Sequence, residues 1–301
     1  MNIIKEKIVR LVTRMFPAYF ISRDWYKLFK ERLDWNNPKD LNEKIQWLKR
    51  YTDTTVWSKL SDKYEVREYI KEKGLSNILV KNYGKWDNPE KIDWDSLPNQ
   101  FVMKLNNGSG GVVICENKSD LDIPYITKKL KRNLKNRFGY LTGEPHYLTI
   151  KPFIIAEELL DKNKQQIESS SLIDYKIWCF NGKPVCVFTC MNRTPKGFET
   201  MTYDLDWNGH PEWSVHSDHY KIAKNIIPRP KSFDEMLRIA AILSEGFPQV
   251  RVDLYEVDSK AYFGEMTFTS AAGMMTYFTK DFLLYLGGKV DLKGCNMKKN
   301  F

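Results

Sequence analysis

What the chain lacks narrows it first. No segment approaches the roughly eighteen consecutive apolar residues of a spanning helix, so none is expected. The N-terminal run MNIIKEKIVRLVTRMF has neither the unbroken apolar stretch nor the small-residue cleavage site of a secretory leader. Cysteine is scarce: the five at 115, 179, 186, 190 and 295 show no paired metal-ligand spacing. Such an odd set fits reduced thiols in a cytoplasmic protein better than a disulfide framework. There is no convincing Ser/His/Asp or Cys/His arrangement, and hence no covalent nucleophile to build a mechanism on. Internal repeats and low-complexity tracts are absent, and no recognised nucleic-acid motif accompanies the basic charge, so nucleic acid is not an expected partner.

What remains is a core-forming chain. Its 301 residues are 42% hydrophobic and 14% aromatic, enough for one large domain or two to three small ones. The net charge of +9 suits an anionic partner such as a nucleotide or an acidic saccharide. Within residues 1–16, Ile4, Ile8, Leu11, Val12 and Met15 share a helical face opposite Lys7, Arg10 and Arg14, and Pro17 ends the run. Such a helix either docks on its own domain or lies on the inner face of a membrane. Three histidines, His210, His216 and His219, share a loop with Trp207 and Trp213, but their spacing is not a zinc pattern.

The first hundred residues read as helical. Asp40 and Glu43 are placed as a capping box before Ile45, Trp47 and Leu48, and SDKYEVREYIKEKG predicts a helix from Ser61 or Asp62 to Gly74. After Asp95 the pattern changes to short strands and turns. Polar runs at 161–171 and 192–200 predict surface loops, and Ser232 with Glu235 predicts a second capping box opening a helix that ends near Gly246.

Three predicted hairpins carry charges where strands ordinarily do not. In the last, 250–257 and 261–268 joined through Asp258-Ser259-Lys260 set Asp253 opposite Glu265 and Arg251 opposite Thr267, all on one face. Two carboxylates about 5 Å apart at Cβ repel unless a cation lies between them. That cation is either a divalent metal held by oxygen ligands or, on a merely solvated face, Arg251 itself. In FVMKLNNGSGGVVI, Lys104 interrupts a strand that runs into Asn107-Gly108-Ser109-Gly110-Gly111. Glycines let backbone N–H groups approach a polyphosphate, although no Gly-Lys-Ser/Thr follows and glycine-rich hairpin loops are commonly structural. In LIDYKIWCFNGKPVCVFTCMNR, Asn181-Gly182 predicts a type I′ turn that puts Lys176 opposite Val187 and Asp174 opposite Thr189. Asp174, Lys176 and Arg193 then share a face, either for an anionic partner such as a nucleotide or simply exposed to water. Between these hairpins lies PFIIAEELL, whose Glu157 and Glu158 close an apolar run that can border an adenine ring or merely end a strand.

The order of these signals resembles the ATP-grasp superfamily, in which two α+β subdomains close over MgATP. Six blocks narrow the resemblance: LNEKIQWLKRY, LSDKYEVREYI, LPNQFVMKLNNGSG, IAEELL, DYKIWCFNGKP and RVDLY with FGEMTF. Together they are similar to the TupA-like ATP-grasp family of bacterial capsular, cell-surface polysaccharide and teichuronopeptide biosynthesis, over about residues 20–292. The resemblance implies an α+β, ATP-grasp fold: a mainly helical N-terminal region (1–95), a lid subdomain with the glycine loop (96–160) and a catalytic subdomain with the metal site (161–301).

It also implies roles. Lys63, Lys104 and Lys176 would contact phosphates, with Arg193 beside them; Ser109, Gly110 and Gly111 would form the covering loop. Glu157 or Glu158 and the Leu159 backbone would meet adenine. Asp253 and Glu265 would ligate Mg²⁺, and Arg251 would stabilise the transferring phosphoryl group. One departure stands out: where the superfamily has a metal-ligating Asn two residues after the Glu, this chain has Thr267. The implied reaction is ATP-dependent ligation of a carboxylate to an amine through an acyl phosphate, with a uronic acid of a surface saccharide and an amino acid or amine as co-substrates. A sugar kinase with Asp174 as general base, a glycosyltransferase using Asp253 and Glu265, and a membrane-docked scaffold at the cytoplasmic face are the alternatives.

Overall fold

Alternating strands build two sheets, and in each one face is apolar and the other charged. The computed structural model describes residues 16–298 except 109, 136, 137 and 225, so residues 1–15 of the predicted N-terminal helix, and Ser109, lie outside the described residues. Among the described residues four helices come first: α1 (Pro17–Phe29), α2 (Leu41–Tyr51), α3 (Thr55–Ser61) and α4 (Val66–Glu72). The Asp40–Glu43 capping box at the start of α2 is present in both directions.

The predicted helix from Ser61 or Asp62 instead begins at Val66. The Asp62 carboxylate accepts from the backbone N–H groups of Tyr64 and Glu65 and from Asn106 Nδ2 at 2.6 Å, which holds residues 62–65 in an irregular turn. The Lys63 N–H then donates to the Asn106 carbonyl at 2.9 Å, tying this turn to the glycine-rich loop.

The smaller sheet has the order β1-β4-β2-β3, from β1 (Asn82–Trp86), β2 (Phe101–Leu105), β3 (Val113–Cys115) and β4 (Ile154–Glu157). Its first strand therefore precedes Asp95, where the change to strands was expected. Phe101, Met103, Val113, Cys115, Ile154 and Ala156 face α5 (Ile123–Leu134) through Ile126 and Leu130. Parity leaves Lys104 and Glu157 on the opposite face. A short helix, α6 (Pro145–Leu148), lies between β3 and β4 in the chain.

The larger sheet has the order β10-β9-β5-β6-β7-β8: β5 (Asp174–Phe180), β6 (Lys183–Thr194), β7 (Gly197–Tyr203), β8 (Tyr220–Ile222), β9 (Val250–Val257) and β10 (Lys260–Thr267). All its pairs are antiparallel except β7–β8. Its back face carries Ile177, Val252 and Leu254 and packs on α7 (Phe233–Ser244) through Met236, Ile239, Ala240 and Leu243. The predicted loop at 192–200 is instead the β6–β7 hairpin, its polar residues lying at an exposed rim. Ser232 does precede α7, but its hydroxyl and N–H both donate to the buried Glu256 carboxylate at 2.5 and 2.6 Å, in place of the capping box. α8 (Lys280–Lys289) packs against α2.

Register departs from expectation at two bulges. Near the Asn181-Gly182 turn the pairing is as predicted, but an irregularity beside Pro184 shifts the rest, so that Lys176 faces Phe188 and Asp174 faces Cys190. Proline offers no N–H to the ladder, which favours a bulge there. A second irregularity at Asn192, whose φ is +52°, turns Arg193 back toward Asp174. In the β9–β10 hairpin the turn is Asp258-Ser259 alone, one residue shorter than expected, and a bulge at Gly264 restores Glu265 opposite Asp253 and Thr267 opposite Arg251. A Cβ at Gly264 would lie 2.9 Å from the Asp253 carbonyl oxygen.

Candidate active site

The front face of the larger sheet gathers three cations and two carboxylates at its centre. Arg251 and Asp253 are two residues apart on β9 and form a bidentate pair, Nε to Oδ1 at 2.6 Å and Nη2 to Oδ2 at 2.7 Å. Lys176 on β5 donates to the same Asp253 Oδ2 at 2.5 Å. Glu265 on β10 lies 3.2 Å from Arg251 Nη2 and 3.2 Å from Lys63 Nζ. Lys63 Nζ also donates to the Gly108 carbonyl at 2.8 Å, so one lysine bridges the glycine-rich loop and Glu265 of the larger sheet. Gly108 has φ +73°, and a Cβ there would meet the Phe138 ring at 2.5 Å. Only glycine fits that position without displacement.

The electrostatics follow from these contacts. Burial opposes ionisation of Glu265, but Lys63, Lys176 and Arg251 together hold its carboxyl well below the usual range. Burial likewise disfavours the charged forms of Lys176 and Arg251, and the carboxylates beside them win, raising both. Asp174 is buried too, yet Lys176 and Arg193 keep its carboxyl below the usual range. For Glu265, Asp174, Lys176 and Arg251 the neighbouring charges thus outweigh burial and favour the charged form.

A second group sits on the smaller sheet. Lys104 Nζ contacts Glu157 Oε2 at 2.6 Å, and Arg67 from α4 approaches the other Glu157 oxygen at 3.4 Å. Glu157 is buried, whereas Glu158 is exposed and receives the Lys81 N–H at 3.3 Å. Leu159 follows at the strand end, half-buried; Gly110 and Gly111 have φ of +82° and +71° at the covering loop. Lys63, Glu265, Arg251, Asp253 and Lys176 are thus joined by successive contacts that continue through Asp174 to Arg193, while Lys104, Glu157 and Arg67 form a separate group on the smaller sheet.

Several participants were not anticipated. Tyr255 bonds the Asp174 carboxylate, and that charge together with burial pushes its hydroxyl well above the usual range; parity with Asp253 on β9 was its only signal. Ser270 Oγ accepts from Arg251 Nη1 at 2.7 Å and sits at the head of a turn in which Ala271 and Ala272 both have positive φ, 47° and 58°. Left-handed alanines are strained, and this turn is held from α2: Lys49 donates to the Ala272 carbonyl at 2.8 Å and Gln46 to that of Gly273 at 2.8 Å. No local sequence pattern announces such long-range support.

The donor set also bears on a divalent cation. Asp253 and Glu265 offer hard oxygens of the kind Mg²⁺ takes, and among the described residues no group of three His, Cys, Asp or Glu side chains surrounds a common point. Thr267 Oγ1 donates to Glu265 Oε1 and receives Arg251 Nη2, each at 3.1 Å, which makes it a brace for its neighbours. Two carboxylates suit an ion that completes its shell with water and phosphate oxygens.

His210 stacks on Trp213 at 3.8 Å and pairs with Glu212 and Asp204, away from any metal-like cluster.

A family model described as TupA-like ATPgrasp matches residues 43–291. No curated protein matches the chain. Among solved structures it is similar to a D-alanine–D-alanine ligase of Bacillus anthracis complexed with ATP, at 14% identity and TM-score 0.39, covering 72% of this chain and 58% of that one. It is also similar to an L-amino acid ligase of Bacillus licheniformis (12%, TM-score 0.47, 77% and 49%). A third is the D-Ala-D-Ala ligase of Helicobacter pylori (12%, TM-score 0.43, 85% and 70%). The chain thus spans about half to three-fifths of the length of the first two.

Proposed function

The chain belongs to the TupA-like ATP-grasp family, and from that premise we propose that it is an ATP-dependent carboxylate–amine ligase. The observation that carries this reading is the cluster of close contacts of Lys63, Lys176 and Arg251 with Asp253 and Glu265, joined through Lys63 to the glycine-rich loop. Lys104 and Lys176 bind phosphates, Glu157 and the Leu159 backbone border adenine, and Asp253 with Glu265 hold Mg²⁺, which neutralises charge on the phosphates. The smaller sheet acts as the lid over the larger, dividing near residues 95 and 160 with β1 joining from upstream.

In the first step an oxygen of the substrate carboxylate attacks the γ-phosphorus of ATP. The bond from phosphorus to the β–γ bridging oxygen breaks, and ADP leaves with the electron pair. Arg251 stabilises the transferring phosphoryl charge, a preorganised electrostatic role. In the second step the amine attacks the acyl carbon, phosphate leaves and the nitrogen loses a proton, giving the amide.

Asp174 weighs against the kinase alternative. A general base needs to reach the hydroxyl proton, whereas the buried Asp174 carboxylate is engaged by Lys176 at 3.7 Å and by Arg193. A carboxylate nucleophile needs no such base. A uronic acid of a surface saccharide as the acid, and an amino acid or amine as the acceptor, are supported by the net charge of +9 and by the family's association. No helix among the described residues is long and apolar enough to cross a membrane. We place the reaction in the cytoplasm, with residues 1–16 as the candidate contact with the membrane's inner face.

Thermal unfolding with MgATP, MgADP, Mg²⁺ alone and UDP-sugars tests the reading. A ligand at about 100 times its Kd adds about 2.7 kcal/mol, a rise of several degrees at about 2–4 °C per kcal/mol. Stabilisation by MgATP that is lost in Lys104→Ala supports the ligase. Stabilisation by a UDP-sugar alone points to the glycosyltransferase, and no response to any nucleotide leaves the scaffold.

A further inference from the structure

The front face of the larger sheet continues past its charges. Read across the register, Glu265, Asp253 and Lys176 are followed by Phe188 and Thr202. The neighbouring row runs from Asp174 through Cys190 and Thr200 to Ile222, and at the rim Phe198 pairs with Tyr220. Parity keeps Phe198 and Tyr220 on the same face as Asp174 and Lys176.

This rim is organised around Arg193. Its guanidinium contacts Asp174 through Nη2, lies 4.7 Å from the centre of the Phe198 ring and leaves 39% of the side chain exposed. Its backbone N–H donates to Ser171 Oγ at 3.3 Å, and among the described residues the guanidinium has no hydrogen-bond acceptor besides Asp174. The exposed His219 ring stands edge-on to Phe198 at 5.1 Å and to Tyr220 at 4.8 Å, and Tyr220 leans on Tyr277 at 5.3 Å. Gly197 closes the wall: its φ is +150°, and a Cβ there would meet the His219 carbonyl at 2.5 Å. The result is a cation with a free hydrogen-bonding edge above a fixed, partly exposed aromatic surface.

Its position gives it a use. In the ligase reading the nucleotide enters from Lys104 and Glu157 and its phosphates reach Lys176 and Arg251. The attacking carboxylate must then approach the terminal phosphorus from the far side, in line with the leaving oxygen. Arg193 stands on that side, one carboxylate (Asp174) beyond Lys176. A free guanidinium edge suits a carboxylate and repels an ammonium, so the amine belongs elsewhere.

We propose that Arg193, Phe198, His219 and Tyr220 form the acid subsite, in which Arg193, seated on the Phe198 ring, holds the carboxylate of a ring-bearing acid and the half-exposed Tyr220 beside it packs against that acid's ring. The assignment rests on the ligase reading and makes Arg193 a residue for the acid substrate, not for the nucleotide. One carboxylate oxygen stays on Arg193 while the other attacks phosphorus. The uronic acid of the proposed function would then lie with its C–H face toward Tyr220, in preference to a small open-chain acid.

Hydroxylamine converts an acyl phosphate to a hydroxamate, so the acid step can be followed without the natural amine. The full chain, with Arg193→Gln and Tyr220→Ala, is given MgATP, hydroxylamine and in turn glucuronate, galacturonate, glutamate or acetate, and thermal unfolding with MgATP is recorded alongside. The expected result is hydroxamate from the two ring acids, with the KM for the acid raised about tenfold or more by Arg193→Gln and about threefold by Tyr220→Ala. The MgATP-induced rise in Tm stays unchanged in both. An unchanged KM in Arg193→Gln, loss of the MgATP response in that variant, or hydroxamate only from glutamate or acetate overturns the subsite. So does a wild type that is stabilised by MgATP yet forms hydroxamate from none of the four acids. A wild type that MgATP does not stabilise at all removes the ligase reading itself.

Discussion

The two faces of the larger sheet are made by the same strands and do opposite things. On the back, Ile177, Val252 and Leu254 are sealed under α7 with essentially no exposed surface. On the front, one residue along each strand, Lys176, Arg251 and Asp253 are nearly as buried but charged. Burial on the back stabilises the fold through transfer of apolar area. Burial on the front costs desolvation, which close ion pairs offset without clear surplus. A protein built only for stability would have apolar side chains on both sides. Keeping charges under cover marks the front as the place where the fold gives up stability to hold a polar ligand.

That contrast can be broken at either face. The largest effect on stability is expected from the back: Leu254→Ala should lower the unfolding free energy by about 3 kcal/mol, within the usual range of about 2–5 for buried leucines. Denaturant titration measures it, and the affinity for MgATP should be unchanged. On the front, Lys176→Met should do the reverse. Asp253 keeps its bidentate Arg251, so we expect a stability change within about 1 kcal/mol, while MgATP affinity falls about 100-fold, equivalent to about 2.7 kcal/mol.

Acid should expose the front next. Glu265 has a folded-state pKa below its unfolded value of about 4.3. Its contribution is therefore complete above about pH 4.3 and fades as pH falls from there toward the depressed folded value. Glu265→Gln should flatten that segment of the stability–pH curve, and an unchanged slope would mean that Lys63 and Arg251 do not act on it. The smallest effect is expected at Thr267→Asn, which removes a brace and offers an amide oxygen: a change of less than about tenfold in the Mg²⁺ concentration needed for nucleotide binding.

Much of this contrast was legible in the sequence because it depends on parity. Strand alternation and short turns sufficed to bring Asp253 opposite Glu265 and Arg251 opposite Thr267. The prediction survived a wrong turn length only because Gly264 adds a bulge. The β5–β6 hairpin shows the limit: the turn was legible, the irregularity beside Pro184 was not, and every partner beyond it moved by one. Arg193 was expected only to share a face with Asp174; its direct contact with that carboxylate follows an irregularity at Asn192 that no sequence signal announced. Ser232 was readable as a helix cap, but a glutamate twenty-four residues away competed for its hydroxyl and won. The Ser270–Gly273 turn had no local signature, because what holds it comes from Gln46 and Lys49, more than two hundred residues earlier. Signals confined to a few neighbouring residues were visible, whereas those created by tertiary contact were not.

The mutual pairing of Lys63, Lys176 and Arg251 with Asp253 and Glu265 has a thermodynamic corollary. Each cation now satisfied by a carboxylate is released for a phosphate only when that carboxylate finds another positive partner, and the converse holds for each carboxylate. In the proposed reaction the two ligand components therefore bind with positive cooperativity, and linkage makes the coupling equal in both directions. Nucleotide without metal meets a site whose positive charge is already spoken for, and metal without nucleotide meets carboxylates already engaged. In that reading the paired network would favour nucleotide and metal together over either one alone.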